Sequence, residues 1–327
     1  MTFSAVITFL FGLIIITVGA EILLKGASKI ATLLNIRPIV IGLTVVSIGT
    51  SLPELAVGLT AIGEGAGDIA IGNIAGTNLV NILFILGLSA AIRPLPLNLR
   101  SIKTEMFTMI IAAVLLLVLS LDGELSTWDG LIMLFLGSVY LIIIVRTSRQ
   151  EPFYVQKEFQ EEYETPPLYE KKDKKVWVWN FMLLFCGIVA TIYGAEKLVD
   201  GAVEMAKHFG MSDAVIGLTI IAIGTSAPEL ATTIVATFNG ERDVAVGNLL
   251  GSSVINIFII LGITSIFTPG SIGVSPDILW FDLPLAALVA IVCYPVFKSD
   301  QMVSRKEGVT FVSLYLAYLV FLLMYRV

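Results

Sequence analysis

The chain reads as an all-α membrane protein, ten transmembrane helices arranged as two inverted five-helix repeats. Three observations carry that expectation. Apolar residues make up 57% of the 327-residue sequence against 14% charged, and the mean hydropathy is +0.93, far from the composition of a soluble domain. Ten stretches are long and apolar enough to cross a bilayer, which takes about 20 helical residues. Finally, Val40–Leu88 aligns without a gap onto Val215–Ile263, with Gly49 falling on Gly224 and about half the residues identical. Self-similarity on that scale means a duplicated structural unit.

The spans are predicted near 3–33, 37–62, 68–91, 103–121 and 127–145, then 176–206, 212–238, 243–267, 279–297 and 307–325. The first is read as a spanning helix and not a signal peptide, being long, with no basic region before it and no cleavage site before Thr17. The boundary between halves is Thr147–Lys175, rich in Glu, Lys, Gln and Pro; such a stretch cannot bury enough apolar surface to fold alone. This divides the chain into a first repeat at 1–146, a linker at 147–175 and a second repeat at 176–327. Matches outside the aligned block, Gly19-Ala20-Glu21 with Gly194-Ala195-Glu196 and Asp129-Gly130 with Glu307-Gly308, make each half a complete copy.

Lys and Arg set the orientation. With the N-terminus outside, Lys25, Lys29, Arg37, Arg93, Arg100, Lys103, Arg146, Arg149, the basic residues of the linker, Arg242, Lys298, Arg305 and Lys306 fall inside, and only Lys197, Lys207 and Arg326 fall outside or near it. That is the positive-inside pattern, and it places both termini outside and the linker in the cytosol of a prokaryotic cell whose inner membrane holds the chain. Trp128, Trp177, Trp179 and Trp280 stand at predicted helix starts, where amphipathic rings favour the interface. An odd number of helices per half inserts the second copy upside down, the arrangement that puts substrate sites near the bilayer midplane between the copies. The net charge of −6 and the lack of a basic patch with interleaved aromatics exclude nucleic acid as a partner. Cys186 and Cys293 lie singly in apolar stretches and read as small buried hydrophobes.

The second and seventh spans carry the repeated peptides GTSLPE at Gly49–Glu54 and GTSAPE at Gly224–Glu229. An acid inside a membrane segment is a functional-site hypothesis by default. Pro53 and Pro228 have no N–H to donate and clash one turn back with the carbonyls of Gly49 and Gly224, so each breaks its helix. Oxygens freed at membrane depth persist only where they line protein or a polar cavity. Thr50 and Ser51 share the helical face of Glu54 by spacing, as Thr225 and Ser226 share that of Glu229. The third and eighth spans supply the facing wall: Asn73, Thr77 and Asn81 recur every fourth residue, and Asn248, Ser252 and Asn256 match them. The pairs Gly72/Gly76 and Gly247/Gly251 have the spacing that lets helices approach closely. Glu21 and Glu196 stand near Lys25 and Lys197 and read as ion pairs; His208 reads as a surface residue. Two carboxylates, amides and hydroxyls with no His or Cys pattern form an all-oxygen set, which suits Ca²⁺ or Na⁺ and not zinc or copper.

With these blocks the sequence resembles the cation/calcium exchanger superfamily, in particular its prokaryotic sodium/calcium exchanger branch. The resemblance covers the whole chain and rests on GTSxPE and GNxxGxNxxN, the latter present as GNIAGTNLVN and GNLLGSSVIN, with Ser253 replacing the usual Asn. It implies that Glu54 and Glu229 coordinate Ca²⁺ and Na⁺, completed by groups at Thr50, Ser51, Thr77, Thr225, Ser226 and Ser252, with carbonyls of Ser47 and Ala222 for outer Na⁺ ions. Asn at both Asn81 and Asn256 weakens a potassium-coupled reading, because potassium-dependent relatives carry Asp at the position of Asn256. The implied activity is antiport of Ca²⁺ against Na⁺ by alternating access, the first and sixth helices sliding across the other eight. Neither an enzymatic activity nor a cofactor nor an obligate protein partner is implied. Two alternatives stay open at this point: a proton is the other monocation that neutralises a carboxylate, giving a Ca²⁺/H⁺ antiporter, and a passive cation channel would conduct without a counter-ion.

Overall fold

A backbone surrounded by hydrocarbon must satisfy its own N–H and C=O groups, so the apolar stretches fold as helices. The computed structural model describes residues 3–34, 36, 38–96, 99–149, 173–210, 220, 222–299 and 302–325. The first half holds α1 (Phe3–Leu34), α2 (Ile39–Gly63) and α3 (Gly67–Ile92), α4 (Leu99–Leu119) and α5 (Thr127–Arg149). The second holds α6 (Lys174–His208), α7 (Ala222–Thr225 and Ala227–Asn239), α8 (Arg242–Phe267) and α9 (Ile278–Lys298) and α10 (Arg305–Tyr325). Nine of these, all but α7, are long and apolar enough to cross a membrane among the described residues. The predicted start of α7 and most of the predicted linker lie outside the described residues.

Four short strands occupy the turns: β1 (Leu95–Pro96) after α3, β2 (Glu124–Ser126) before α5, β3 (Ser271–Gly273) after α8 and β4 (Met302–Val303) before α10. β1 pairs antiparallel with β4, and β2 with β3. Since β1 and β2 flank α4 at its two ends, the two ribbons lie at opposite ends of the bundle. Each therefore joins non-equivalent turns of the two halves, with equivalent turns at opposite ends, which is inversion of the repeats read directly from strand pairing. Their inward side chains Leu95, Leu125, Ile272 and Val303 are fully buried. The helices that follow begin alike: Ser126 N–H donates to Asp129 at 2.8 Å, and Ser304 N–H donates to Glu307 at 2.8 Å, each half of a capping box.

α1 and α6 cross backbone to backbone. Gly12, Gly19 and Gly26 on α1 and Gly187, Gly194 and Gly201 on α6 line the seam. A Cβ at Gly26 would lie 2.6 Å from the Leu184 nitrogen, and one at Gly201 would lie 2.5 Å from the Phe9 nitrogen. In lipid no hydrophobic force joins helices, so such close van der Waals approach is what holds them. The pair forms a slab lying across a core of the other helices, whose largest buried cluster includes Ile71, Leu79, Ile85 and Phe258. The expected ion pairs are on this slab's surface: Lys25 with Glu21 at 2.7 Å, and Lys197 with Glu196 at 3.6 Å and, closer, Asp200 at 2.8 Å. His208 is exposed as expected. Large apolar side chains such as Ile14, Phe135 and Phe185 face outward, as a lipid-contacting surface requires. Cys293 is buried, but Cys186 is exposed, because its face of α6 points away from the seam. Trp128, Trp179 and Trp280 are exposed at their helix starts.

Candidate functional site

The prolines do locally what their chemistry dictates. α2 breaks at Ser51, with φ −85° and ψ 5°, and Pro53 falls in the first turn of the resumed helix, where a missing N–H costs nothing. Ser226 breaks α7 in the same way, with φ −88° and ψ 8°. Around the first break, Ser51 N–H donates to the Ser47 carbonyl at 3.1 Å and Leu55 N–H to the Ser51 carbonyl at 3.3 Å. The facing helices are distorted too. Val80–Leu86 in α3 and Asn256–Leu261 in α8 are wide π-helical turns, the first containing Asn81 and the second beginning at Asn256. Such turns are frequent at functional sites. The sequence carries no signal for them.

Glu54 and Glu229 are fully buried and are electrostatic neighbours. The hydroxyls of Thr50, Ser252 and Ser51 face the Glu229 carboxylate; Ser252 Oγ lies 3.5 Å from its Oε1, and Ser51 Oγ stops short of hydrogen-bond geometry. This corrects the expectation drawn from helical spacing. Thr50 and Ser51 address the acid of the other repeat, because the helix they would have shared with Glu54 ends at Ser51. The motif of one half thus completes the site of the other.

The amide wall also divides. Asn248, at the top of its stripe, is buried and hydrogen-bonded to protein: its Nδ2 donates to Thr232 at 2.9 Å and its Oδ1 accepts from Thr50 at 3.3 Å. Ser47 ties α2 to the same residue, its hydroxyl reaching the Asn248 carbonyl at 3.0 Å and the Gly42 carbonyl at 2.6 Å. Its own carbonyl takes the Ser51 N–H at 3.1 Å and the Thr50 hydroxyl at 3.4 Å. Asn73, the repeat mate of Asn248, is only half-buried. The glycines show the same asymmetry. A Cβ at Gly251 would meet Leu43 backbone atoms at 2.7 and 2.8 Å, whereas one at Gly76 would meet nothing within 4 Å among the described residues. α8 is closed down on α2; α3 has no such neighbour among the described residues.

What is left inside is a concentration of buried oxygens without partners among the described residues: both of Glu54, Oε2 of Glu229, the hydroxyls of Ser51, Thr77 and Ser226, and the side-chain oxygens of Asn81 and Asn256. Thr225 is half-buried and has contacts of its own, and Ala222 opens the first short turn of α7. Each unsatisfied buried polar group costs about 1–3 kcal/mol, so a cluster of them calls for a ligand that accepts many oxygens at once. A hard cation is such a ligand. Among the described residues no three His, Cys, Asp or Glu side chains come together, so the donors around the two acids are neutral. Thr232, missed from sequence, belongs to the wall: it holds Asn248 and donates to the Pro228 carbonyl at 2.8 Å. Its position one turn after Pro228 was the available signal. Two further buried acids lie elsewhere, Glu105 beside Tyr140 and Asp282, which accepts from Tyr318 at 3.1 Å.

Comparison with known proteins agrees with this architecture. The family described as sodium/calcium exchanger protein matches residues 4–146 and 179–324. A putative antiporter of Alkalimonas amylolytica is 35% identical over 317 residues, covering 96% of this chain and 97% of that protein. An inner membrane protein of Escherichia coli is 38% identical over 261 residues, covering 80% of this chain and 79% of that one. Among solved structures, the sodium/calcium exchanger from Methanococcus jannaschii superposes with a TM-score of 0.82 at 29% identity, covering 98% of this chain and 99% of its own.

Proposed function

Because the chain belongs to the sodium/calcium exchanger protein family and is on that ground a cation/calcium antiporter, we propose that it exchanges Ca²⁺ for Na⁺ by alternating access. The observation that carries this reading is the buried pair Glu54 and Glu229 with unpartnered oxygens around it. We take Glu54, Glu229, Thr50, Ser51, Thr77, Thr225, Ser226, Ser252, Asn81 and Asn256 as ion-binding groups, with the Ser47 and Ala222 carbonyls serving outer Na⁺. Two carboxylates supply a charge of about −2, which one Ca²⁺ neutralises and which two or three Na⁺ match or slightly exceed. Without a cation they face each other in a low dielectric, where like charges repel strongly. That cost opposes crossing without cargo and makes exchange obligatory.

The glycine seam makes α1 and α6 one body, and we propose that this body slides across the core to expose the site alternately. Both termini are assigned outside and the 147–175 linker to the cytosol, between repeats at 1–146 and 176–327. Kinship with an inner membrane protein of Escherichia coli supports placement in a prokaryotic inner membrane. The test is counter-transport in proteoliposomes loaded with Ca²⁺, with Na⁺, K⁺ and H⁺ gradients imposed in turn. Na⁺ alone should drive Ca²⁺ movement, and Glu54→Gln or Glu229→Gln should abolish it while the protein still inserts and folds. Ca²⁺ flux driven by a pH gradient and indifferent to Na⁺ would replace this reading with proton exchange.

A further inference from the structure

Among the described residues, the slab is seated on the core chiefly at one end. Near the C-terminal end of α1, Leu23, Ala27 and Ile30 pack into a cluster with Ile41, Ala236 and Val244 of the core. Toward the other end the buried contact among the described residues is Ile16, Ala195 and Ala227, beside an apolar cavity of about 660 Å³ lined by Leu13, Thr17, Val199 and Ile223 among others. At the seated end a polar bond crosses from slab to core: Ser28 Oγ on α1 donates to Glu241 Oε2 at 2.5 Å. Glu241 sits in the turn between α7 and α8, immediately before Arg242.

The repeat supplies the control. The turn between α2 and α3 has the same backbone as the turn holding Glu241. Ala66 N–H donates to the Ala61 carbonyl at 2.9 Å, and Glu241 N–H donates to the Ala236 carbonyl at 2.9 Å. Yet the residue matching Glu241 is Ala66, and the residue matching Ser28 is Val203 on α6. If the slab moves to seat at its other end, the repeats exchange roles, and the bond is lost with nothing to replace it. Two mirror-related closed ends are thus made unequal by two side chains.

We propose that Ser28 and Glu241 form a one-sided latch between slab and core, which biases the exchanger toward the state closed at the cytosolic end. This rests on the alternating-access reading and on the orientation assigned above. The latch has a proton dependence of definite sign. Burial pushes the Glu241 carboxyl above its ordinary range, and the Ser28 hydroxyl offsets only part of that. Among the described residues the charged groups on the neighbouring elements are Lys25, already held by Glu21, Lys29, Asp173, Lys174 and Lys175 on the slab side, and Arg242 and Asp243 on α8. A carboxyl with raised proton affinity in the latched state and an ordinary one when released favours the latch on acidification. That gain fades as pH rises through the latched-state value.

The experiment reads slab position directly. Spin labels at the exposed positions Phe185 on the slab and Trp128 on the core, in a cysteine-free background, report two distance populations in liposomes. Ser28→Ala, which leaves the Glu241 carboxylate buried without its donor, should shift their ratio away from the latched state about tenfold, the scale of a hydrogen bond to a charged group. In a Glu241→Ala background the same substitution should shift nothing. Glu241→Gln, which keeps the acceptor and removes the charge, should hold the latched population independent of pH, while in the wild type that population grows on acidification. Installing the mirror pair, Val203→Ser with Ala66→Glu, should move the ratio toward the opposite state. Two populations that ignore all these substitutions overturn the latch and leave alternating access standing. A single population that ignores ions and substitutions alike overturns the sliding reading, and the latch with it.

Discussion

Replacing Gly26 with alanine sets a methyl group against backbone, where no side-chain rotation can relieve it. The new Cβ would lie 2.6 Å from the Leu184 nitrogen, 3.0 Å from the Asn180 carbonyl oxygen and 3.1 Å from the Leu184 Cα. Favourable contact begins at about 3.5 Å, so α1 and α6 must part by roughly 1 Å at that crossing. A radial gap of about 0.5–1 Å forfeits a quarter to a half of each contact well, and in lipid nothing hydrophobic compensates. Overpacking of this kind costs about 1–3 kcal/mol; we expect ~2 kcal/mol in reversible unfolding by SDS in mixed micelles. The seam also predicts non-additivity. Gly19→Ala, whose Cβ would meet the Thr191 nitrogen at 2.7 Å, should cost less in a chain already parted at Gly26, because one separation relieves both. Unchanged stability of Gly26→Ala, or strict additivity of the two, would refute the backbone-to-backbone account of the slab.

Three other outcomes follow from the site. Gly251→Ala should destabilise the protein by about 1–3 kcal/mol, because its Cβ would meet Leu43 backbone atoms; an unchanged melting temperature would contradict the close approach of α8 to α2. Thr50→Val removes a hydroxyl that faces Glu229 and donates to Asn248, and the Ca²⁺ concentration for half-maximal exchange should rise about tenfold, the scale of a lost charge-assisted hydrogen bond. An unchanged half-saturation would remove Thr50 from the site. Asn256→Leu replaces a buried amide whose oxygen and nitrogen both lack partners among the described residues, so it should raise stability by about 1 kcal/mol while exchange falls. Lower stability with full exchange would make Asn256 a structural residue.

The helices and their inversion were legible because a bilayer permits little else: length, hydropathy and the duplicated block suffice. The breaks at Ser51 and Ser226 were legible because proline acts on its own turn. What lay beyond reading was whatever depends on how the halves meet. The spacing of Thr50, Ser51 and Glu54 points to one helical face, and only the tertiary placement hands those hydroxyls to Glu229. The π-helical turns at Asn81 and Asn256 arise where packing distorts a regular ladder, without Gly or Pro to mark them. Glycines seven apart in α1 and α6 were open to inspection in the sequence, but the closer Gly72/Gly76 and Gly247/Gly251 spacing drew the helix-packing argument instead. Cys186 shows the limit of composition, since an apolar segment in lipid has an outward face as apolar as its inward one.

The two strand ribbons carry a historical implication. Each is made of one turn from each half, β1 with β4 and β2 with β3, and in repeat terms β4 is the counterpart of β2 while β3 is the counterpart of β1. A five-helix half chain therefore contains both members of the complementary pair. Two separate copies inserted in opposite directions would close the same ribbons between them, so the present chain has the form of an antiparallel dimer that later became one polypeptide. Within one polypeptide the two halves can differ, as Glu241 against Ala66 shows.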